Sequence, residues 1–264
     1  MTAPNISNPT HPTAAMNQVR LPRTAALGPG LGGQPRLLID APAGAAEIYL
    51  HGATLTSWVP RGGSEVIFTS RQAVFDGSTA IRGGIPLCLP EFGVGINGDA
   101  VPKHGWARIA PWQLRMVAST DDGGVRALLS VSRNHLTALY EVEIGETLRL
   151  GLSLRNDGNA PRTVEAAAHT YLSVHDVTAS LISGLAGASY SDNLAHSPQE
   201  AHRVQDGDVR ISGPVDRIYD SAELVTVTDP GHERTIHVDK RNAPSTIVWN
   251  PWSTYSAPLP DMAD

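Results

Sequence analysis

Alternating apolar and polar positions mark several short segments of this chain as β-strands. The clearest runs from residue 147 to 155, where the leucines at 148, 150, 152 and 154 share one face and polar residues or glycine fill the other. Because side chains of a strand point alternately to its two faces, this pattern predicts a sheet with one buried face.

Strand signals of this kind recur about every 10 residues, separated by turns rich in Gly, Asp, Asn and Pro. His51-Gly52 is a predicted hairpin turn, residues 70–77 a helical turn or short helix, and residues 186–209 a polar loop. Since a helical pattern is almost absent, we predict an all-β fold, a large antiparallel sandwich or barrel. The other predicted strands are 36–41, 45–60, 65–70, 112–118, 125–131, 139–144, 162–174, 178–185, 208–213, 215–220, 223–229, 234–240 and 245–250.

The chain is predicted to hold one domain behind an extension. Residues 35–264 show no clear repeat and no internal linker, so we expect a single β-sandwich domain. Residues 1–34 are rich in Ala, Pro, Thr, Gly and Asn without periodicity, which is typical of a flexible extension. A docked N-terminal arm is the alternative.

Composition excludes several classes of partner. The 264 residues carry a net charge of −6, whereas binders of nucleic acid or membrane surfaces concentrate Lys and Arg, so we expect neither partner. The single cysteine, Cys88, cannot form an internal disulfide and fits a reducing compartment. No apolar run is long enough for a membrane span, and no secretory signal is recognisable. We expect a cytoplasmic monomer.

Residues 82–108 form a long segment rich in glycine and proline, which cannot be a regular helix or a long strand. Such loops in compact domains are functional or disordered, and the apolar residues within this one favour order. Arg82, Lys103 and Arg108 are three cations on one loop of an acidic chain, and His104 lies among them. Together they indicate an anion site. Solvated surface charge is an equally good interpretation of the cations from the sequence alone.

His169 is the candidate acid or base, because a histidine of ordinary pKa can exchange a proton near neutral pH. In a strand it shares a face with Glu165, Ala167 and Tyr171. A half-buried structural histidine is the commoner interpretation of such a position. Asp216 either binds hydroxyl groups or pairs with Arg217. We find no Cys/His or His/carboxylate spacing typical of a metal site and no nucleotide loop, so we expect no metal and no cofactor.

Five motifs in order resemble the aldose 1-epimerase (galactose mutarotase) superfamily, and specifically its hexose-6-phosphate mutarotase branch. The resemblance covers residues 37–264. The motifs are HGATLTSW, RGGIPLCLPEFG with PKHGWAR after it, AAAHTYLSV, VDRIY, and IVWNPW with DMAD after it.

The resemblance implies a β-supersandwich fold and reversible interconversion of the α and β anomers of glucose 6-phosphate or a related hexose 6-phosphate. It implies that His169 is the catalytic histidine, as a general acid toward the ring oxygen. Arg82 and Arg108 fall on substrate-binding arginines, His104 on the histidine near the anomeric centre, and Asp216 on the hydroxyl-binding aspartate. Lys103 stands where the family often has glutamine. The implied partner is a small hexose phosphate.

One departure from the family concerns the catalytic base, a glutamate in a stretch that follows the DMAD-like segment. The sequence ends at Asp264, and no residue matches that glutamate. We therefore expect a C-terminally truncated domain that lacks strands, or a chain that has lost its base, with weak catalysis in either case. A non-catalytic sugar-phosphate binding or regulatory protein, a mutarotase for unphosphorylated aldoses, and a purely structural β domain are the alternatives.

Overall fold

The structure, a computed structural model, describes residues 19–262, apart from the side chains at 198 and 199. Its first half is a pair of four-stranded antiparallel sheets, in which each strand pairs with the next along the chain. The first sheet contains β1 (Ala25–Pro29), β2 (Pro35–Ala41), β3 (Gly44–Tyr49) and β4 (Thr54–Pro60). The second contains β6 (Gln113–Ser119), β7 (Val125–Arg133), β8 (Leu136–Ile144) and β9 (Leu148–Asn156).

The core of this half lies between the two sheets. Leu37 and Ile48 from the first sheet and Leu129 and Ile144 from the second are all fully buried in one apolar cluster. Burying apolar side chains is the main force that holds such a sandwich together. The predicted period-two pattern of residues 147–155 is confirmed over most of β9, because Leu148, Leu150 and Leu152 pack against the same core, whereas Leu154 is exposed.

The second half has its own smaller core and two more four-stranded sheets. One contains β11 (Leu181–Ser183), β14 (Val209–Arg210), β16 (Val225–Asp229) and β17 (Arg234–Val238), in the order β14-β11-β16-β17. The other contains β12 (Ser189–Asp192), β13 (His202–Val204), β15 (Val215–Tyr219) and β18 (Thr246–Asn250), in the order β13-β12-β15-β18. A 3-10 turn precedes β17, and the short helices are α1 (Pro198–Ala201) and α2 (Trp252–Ser256).

Two very short strands, β5 (Leu87–Cys88) and β10 (Ala167–Ala168), pair with each other between these halves. Backbone hydrogen bonds extend the pairing, from the amide of Glu165 to the Pro90 carbonyl and from that of Tyr171 to the Gly84 carbonyl, both at 2.9 Å. The long predicted strand at 162–174 is therefore wrong in its length, although its centre is extended and paired. This pairing lays the segment around His169 against the long loop.

Three other sequence predictions are corrected by the structure. Residues 25–34 are not part of a loose extension, because β1 pairs with β2 as an edge strand. The side chains of β1 are mostly exposed, so its sequence shows no apolar periodicity. Residues 70–77 form turns and no helix. The polar stretch 186–209 contains β12 and β13, which are held by backbone pairing to β15 and to each other. Residues 1–18 of the predicted extension lie outside the described residues.

An all-β sandwich is confirmed as the fold class. In the described part of the chain no helix is both long and apolar enough to cross a membrane.

Candidate active site

His169 directly follows β10 and lies in a group of aromatic rings. Its backbone amide donates to the Pro86 carbonyl at 3.0 Å, which fixes the segment against the long loop. Its ring stacks on Tyr171 at 4.8 Å between centroids and meets Trp249 edge-on at 5.6 Å. A third ring, His104, lies 6.2 Å away at 87°. These contacts hold the imidazole in one orientation.

The pKa of His169 is lowered to about 4, chiefly by burial and further by the positive charges of Arg108 and Arg82. Burial disfavours the charged imidazolium, and nearby cations repel it. At pH 7 only about one His169 in a thousand then carries the second proton, as follows from a shift of this size. The ordinary histidine pKa expected from the sequence does not hold at this buried position.

His104 is held by the backbone of the loop on which it lies. Its φ of 67° is left-handed, and Gly105 follows with φ 70°, where a Cβ would lie 2.2 Å from the Leu89 carbonyl oxygen. The Gly93 amide donates to Nδ1 of His104 at 3.1 Å. Because Nδ1 accepts this hydrogen bond, the proton of the neutral ring must be on Nε2. Burial, with the charge of Arg108, lowers the pKa of His104 to about 4.

Arg82 is partnered within the protein. Its Nε donates to Oδ2 of Asp261 at 3.1 Å. Burial alone would lower its pKa, but hydrogen bonding to Tyr171 and the contact with Asp261 raise the pKa of Arg82. Arg82 therefore connects the ring group around His169 with the last described residues of the chain.

Arg108 lies in a short 3-10 helix, Ala107–Ile109, at the end of the long loop. Its Nη2 donates to the Lys103 carbonyl at 2.8 Å, whereas its buried Nε has no hydrogen-bond partner among residues 19–262. Burial lowers the pKa of Arg108. The side chain of Lys103 is exposed to solvent. Its backbone carbonyl accepts the hydrogen bond from Arg108.

Asp216 lies on β15 directly opposite Trp249 of β18, and paired residues of neighbouring strands share a face. The side-chain amide of Asn193 donates to its carboxylate at 3.0 Å. The predicted alternative of a pair with Arg217 is wrong, because Arg217 approaches Asp192 instead, at 3.6 Å.

The structure thus gathers His169, His104, Arg82 and Arg108, and connects Asp216 to them through Trp249. Among residues 19–262 no three His, Cys, Asp or Glu side chains are arranged to hold a metal ion. Neither Asp261 nor Asn193 was predicted to belong to this group, since neither has a local sequence pattern that signals its long-range partner.

The model of the family described as aldose 1-epimerase matches residues 35–264. The chain belongs to the aldose 1-epimerase family. Membership places the protein by family among sugar epimerases, and it confirms the resemblance inferred from the five motifs.

Curated relatives of this family member carry a more specific name. A protein of Cenchrus ciliaris, named "putative glucose-6-phosphate 1-epimerase", is 31% identical over 237 residues, or 83% of this chain and 70% of the relative. A Salmonella typhimurium protein of the same name is 29% identical over 238 residues, or 86% and 78%.

Solved structures agree with the fold. The crystal structure of a "putative mutarotase (YeaD)" from Salmonella typhimurium matches with a TM-score of 0.83 and 27% identity, covering 93% of this chain and 83% of that one. A galactose mutarotase-like protein from Clostridium acetobutylicum matches with a TM-score of 0.69 over 86% and 83%, and at 10% identity it supports the fold alone.

Proposed function

We propose that this aldose 1-epimerase family member interconverts the α and β anomers of a hexose 6-phosphate, with glucose 6-phosphate as the first candidate. The observation that carries the proposal is the placement of two neutral imidazoles, His169 and His104, beside two arginines, Arg82 and Arg108. The imidazoles suit proton exchange at the anomeric centre, and the arginines suit a phosphate or polar hydroxyls.

The reaction requires one proton to be delivered and one to be removed. His169 gives a proton to the ring oxygen while a carboxylate takes the proton of the C1 hydroxyl, so that the C1–O5 bond breaks and the open-chain aldehyde forms. Rotation about C1–C2 and reversal of both transfers close the other anomer. General acid and base groups each contribute about 10²–10⁴-fold to such steps. We assign the base to none of the described carboxylates.

Because the pKa of His169 is low, we infer that the phosphate of the substrate helps to protonate this histidine. Arg108 and Arg82 repel a proton on His169, and an anion bound to them would weaken that repulsion. A phosphorylated sugar would then raise the pKa of His169 toward neutrality and prepare it as an acid. An uncharged sugar would leave it low.

The decisive experiment is anomer exchange of glucose 6-phosphate, measured by NMR saturation transfer. We expect the protein to accelerate exchange above the buffer rate, His169→Asn to abolish the acceleration, and His237→Asn, at an exposed position of β17, to preserve it. Exchange should also be measured on the chain extended through whatever reading frame follows it. If neither form accelerates exchange, the proposed activity is wrong.

Two alternative functions make different predictions. A sugar-phosphate binding or regulatory protein predicts saturable binding of glucose 6-phosphate with no acceleration. The pairing of Arg82 with Asp261 favours a mutarotase for unphosphorylated aldoses, because this arginine already has an anion. That alternative predicts faster exchange of free glucose than of glucose 6-phosphate. We infer a cytoplasmic monomer in each case, which gel filtration and cell fractionation can test.

A further inference from the structure

Glu165 uses its carboxylate to hold a turn of the long loop. Its Oε2 accepts hydrogen bonds from the backbone amides of Ile96 at 3.1 Å and Phe92 at 3.4 Å. Within residues 19–262 no lysine or arginine pairs with this side chain, which is only partly exposed. A carboxylate that satisfies two amides of an otherwise irregular segment fixes the path of that segment.

The turn held by Glu165 is the one that holds His104. Gly93 lies between the two anchored amides; its own amide donates to Nδ1 of His104, and its carbonyl accepts from the His104 amide at 2.7 Å. The ring of Phe92 lies 5.1 Å from that of His104. Moving residues 92–96 would therefore release the imidazole from the donor that sets its tautomer.

Glu165 and His169 also belong to one extended segment, four residues apart. The amide of Glu165 donates to Pro90 at 2.9 Å and that of His169 to Pro86 at 3.0 Å. The segment that orients His169 through its backbone thus orients His104 through the Glu165 carboxylate. The same segment therefore sets the separation of the two imidazoles.

We propose that Glu165 is a positioning residue, whose carboxylate holds the turn at 92–96 so that Gly93 keeps His104 in its Nε2–H form beside His169. In that form Nε2 of His104 is a hydrogen-bond donor, and its ring lies 6.2 Å from that of His169 between centroids. The catalytic consequence rests on the proposed function, whereas the tautomer of His104 does not.

The competing role for Glu165 is that of a proton acceptor, and two substitutions separate the roles. In Glu165→Gln the amide oxygen can still accept from both backbone amides, but the side chain can no longer take up a proton at neutral pH. In Glu165→Ala both acceptors are lost. Glu91→Ala, in the same loop but outside these contacts, is the matched control.

The first readout is the tautomer of His104, from long-range ¹H–¹⁵N NMR at pH 7, with the signal assigned by its loss in His104→Asn. We expect the Nε2–H form in the wild type, Glu165→Gln and Glu91→Ala, and a mixture of tautomers in Glu165→Ala. An unchanged tautomer in Glu165→Ala would overturn the proposal. This readout holds even if the protein shows no anomer exchange.

The second readout is anomer exchange of glucose 6-phosphate. A displaced His104 should slow exchange about 10- to 100-fold in Glu165→Ala, because small errors of position cost this much in active sites. Glu165→Gln should stay within a few-fold of wild type. Loss of exchange in Glu165→Gln with the Nε2–H form intact would show that Glu165 transfers a proton and would refute the positioning role. Thermal unfolding of each variant checks that it remains folded.

Discussion

Arg82 and Asp261 form an ion pair across 179 residues of sequence, with 3.1 Å between Nε and Oδ2. Each side chain is about a quarter exposed, so the pair is accessible to a ligand. The contact brings the segment after α2 to the group of rings around His169. An anion that approaches Arg82 meets a carboxylate already in place, so the two would compete for the guanidinium.

Asp261→Asn is expected to tighten binding of glucose 6-phosphate by up to about fivefold. A partly exposed ion pair contributes about 0.2–1 kcal/mol, which the phosphate would no longer have to displace. Binding of free glucose should change less. Isothermal titration calorimetry measures both affinities, with Asp239→Asn as an exposed control. Weaker binding of both sugars would instead show that Asp261 itself contacts the sugar.

Arg82→Ala is expected to weaken binding of glucose 6-phosphate about 10- to 150-fold, the worth of one charge-assisted hydrogen bond of about 1.5–3 kcal/mol. The affinity for free glucose should fall far less if Arg82 binds the phosphate. Arg210→Ala removes an exposed arginine of β14 and should affect neither ligand. Equal losses for both sugars would count against a phosphate site at Arg82.

The protonation of His169 is expected to depend on the ligand. In the free protein its ring should titrate near pH 4 by ¹H–¹³C NMR, since burial and the charges of Arg108 and Arg82 depress its pKa. Saturating glucose 6-phosphate should move the midpoint upward, and free glucose should move it less. An unperturbed midpoint near 6.5 in the free protein would contradict the structure.

The same depressed pKa predicts a pH dependence of stability. A histidine near pKa 6.5 when unfolded and about 4 when folded binds more protons in the unfolded chain between those values. Its contribution to stability is therefore present above pH 6.5 and is lost as the pH falls toward 4. Urea unfolding at several pH values should show a smaller decline for His169→Asn than for the wild type. An identical decline would assign the effect to other groups.

Local patterns in the sequence were sufficient to predict much of the first half of the fold. The leucine alternation of β9 predicted its strand, because burial on one face dictates a period of two. The glycine- and proline-rich composition of residues 82–108 predicted a shaped loop, and the structure shows one. The strands β12 and β13 were missed, because polar strands are fixed by backbone pairing with neighbours rather than by apolar periodicity.

In the candidate site, too, the features set by local spacing were predicted and those set by distant residues were not. His169 and Tyr171 were placed on one face by their spacing, and their rings do stack. The partner of Arg82 could not be predicted, because Asp261 is a distant residue whose neighbours show no periodicity. The pKa of His169 likewise depends on burial and on arginines from other segments, which no local pattern reveals.

Asp229 and Arg234 form an ion pair that is expected to contribute to stability rather than to catalysis. The Asp229 carboxylate is fully buried and accepts from Arg234 Nε at 3.2 Å and from the His175 amide at 3.1 Å, while His232 contacts it at 2.7 Å. Arg234 also donates to the Glu65 carbonyl at 2.9 Å, so it connects the second half of the molecule to the first.

Arg234→Ala is expected to lower the free energy of unfolding by about 2–3 kcal/mol, below the 3–5 kcal/mol typical of broken buried pairs, because a neighbouring histidine still contacts the carboxylate. Adding Asp229→Asn to Arg234→Ala should recover part of the loss, since the double variant no longer buries an unpaired charge. Urea unfolding measures each value, and Arg241→Ala provides an exposed control. If the double variant is no more stable than Arg234→Ala, the unpaired charge is not the cause of the destabilisation, and the lost connection between the halves is.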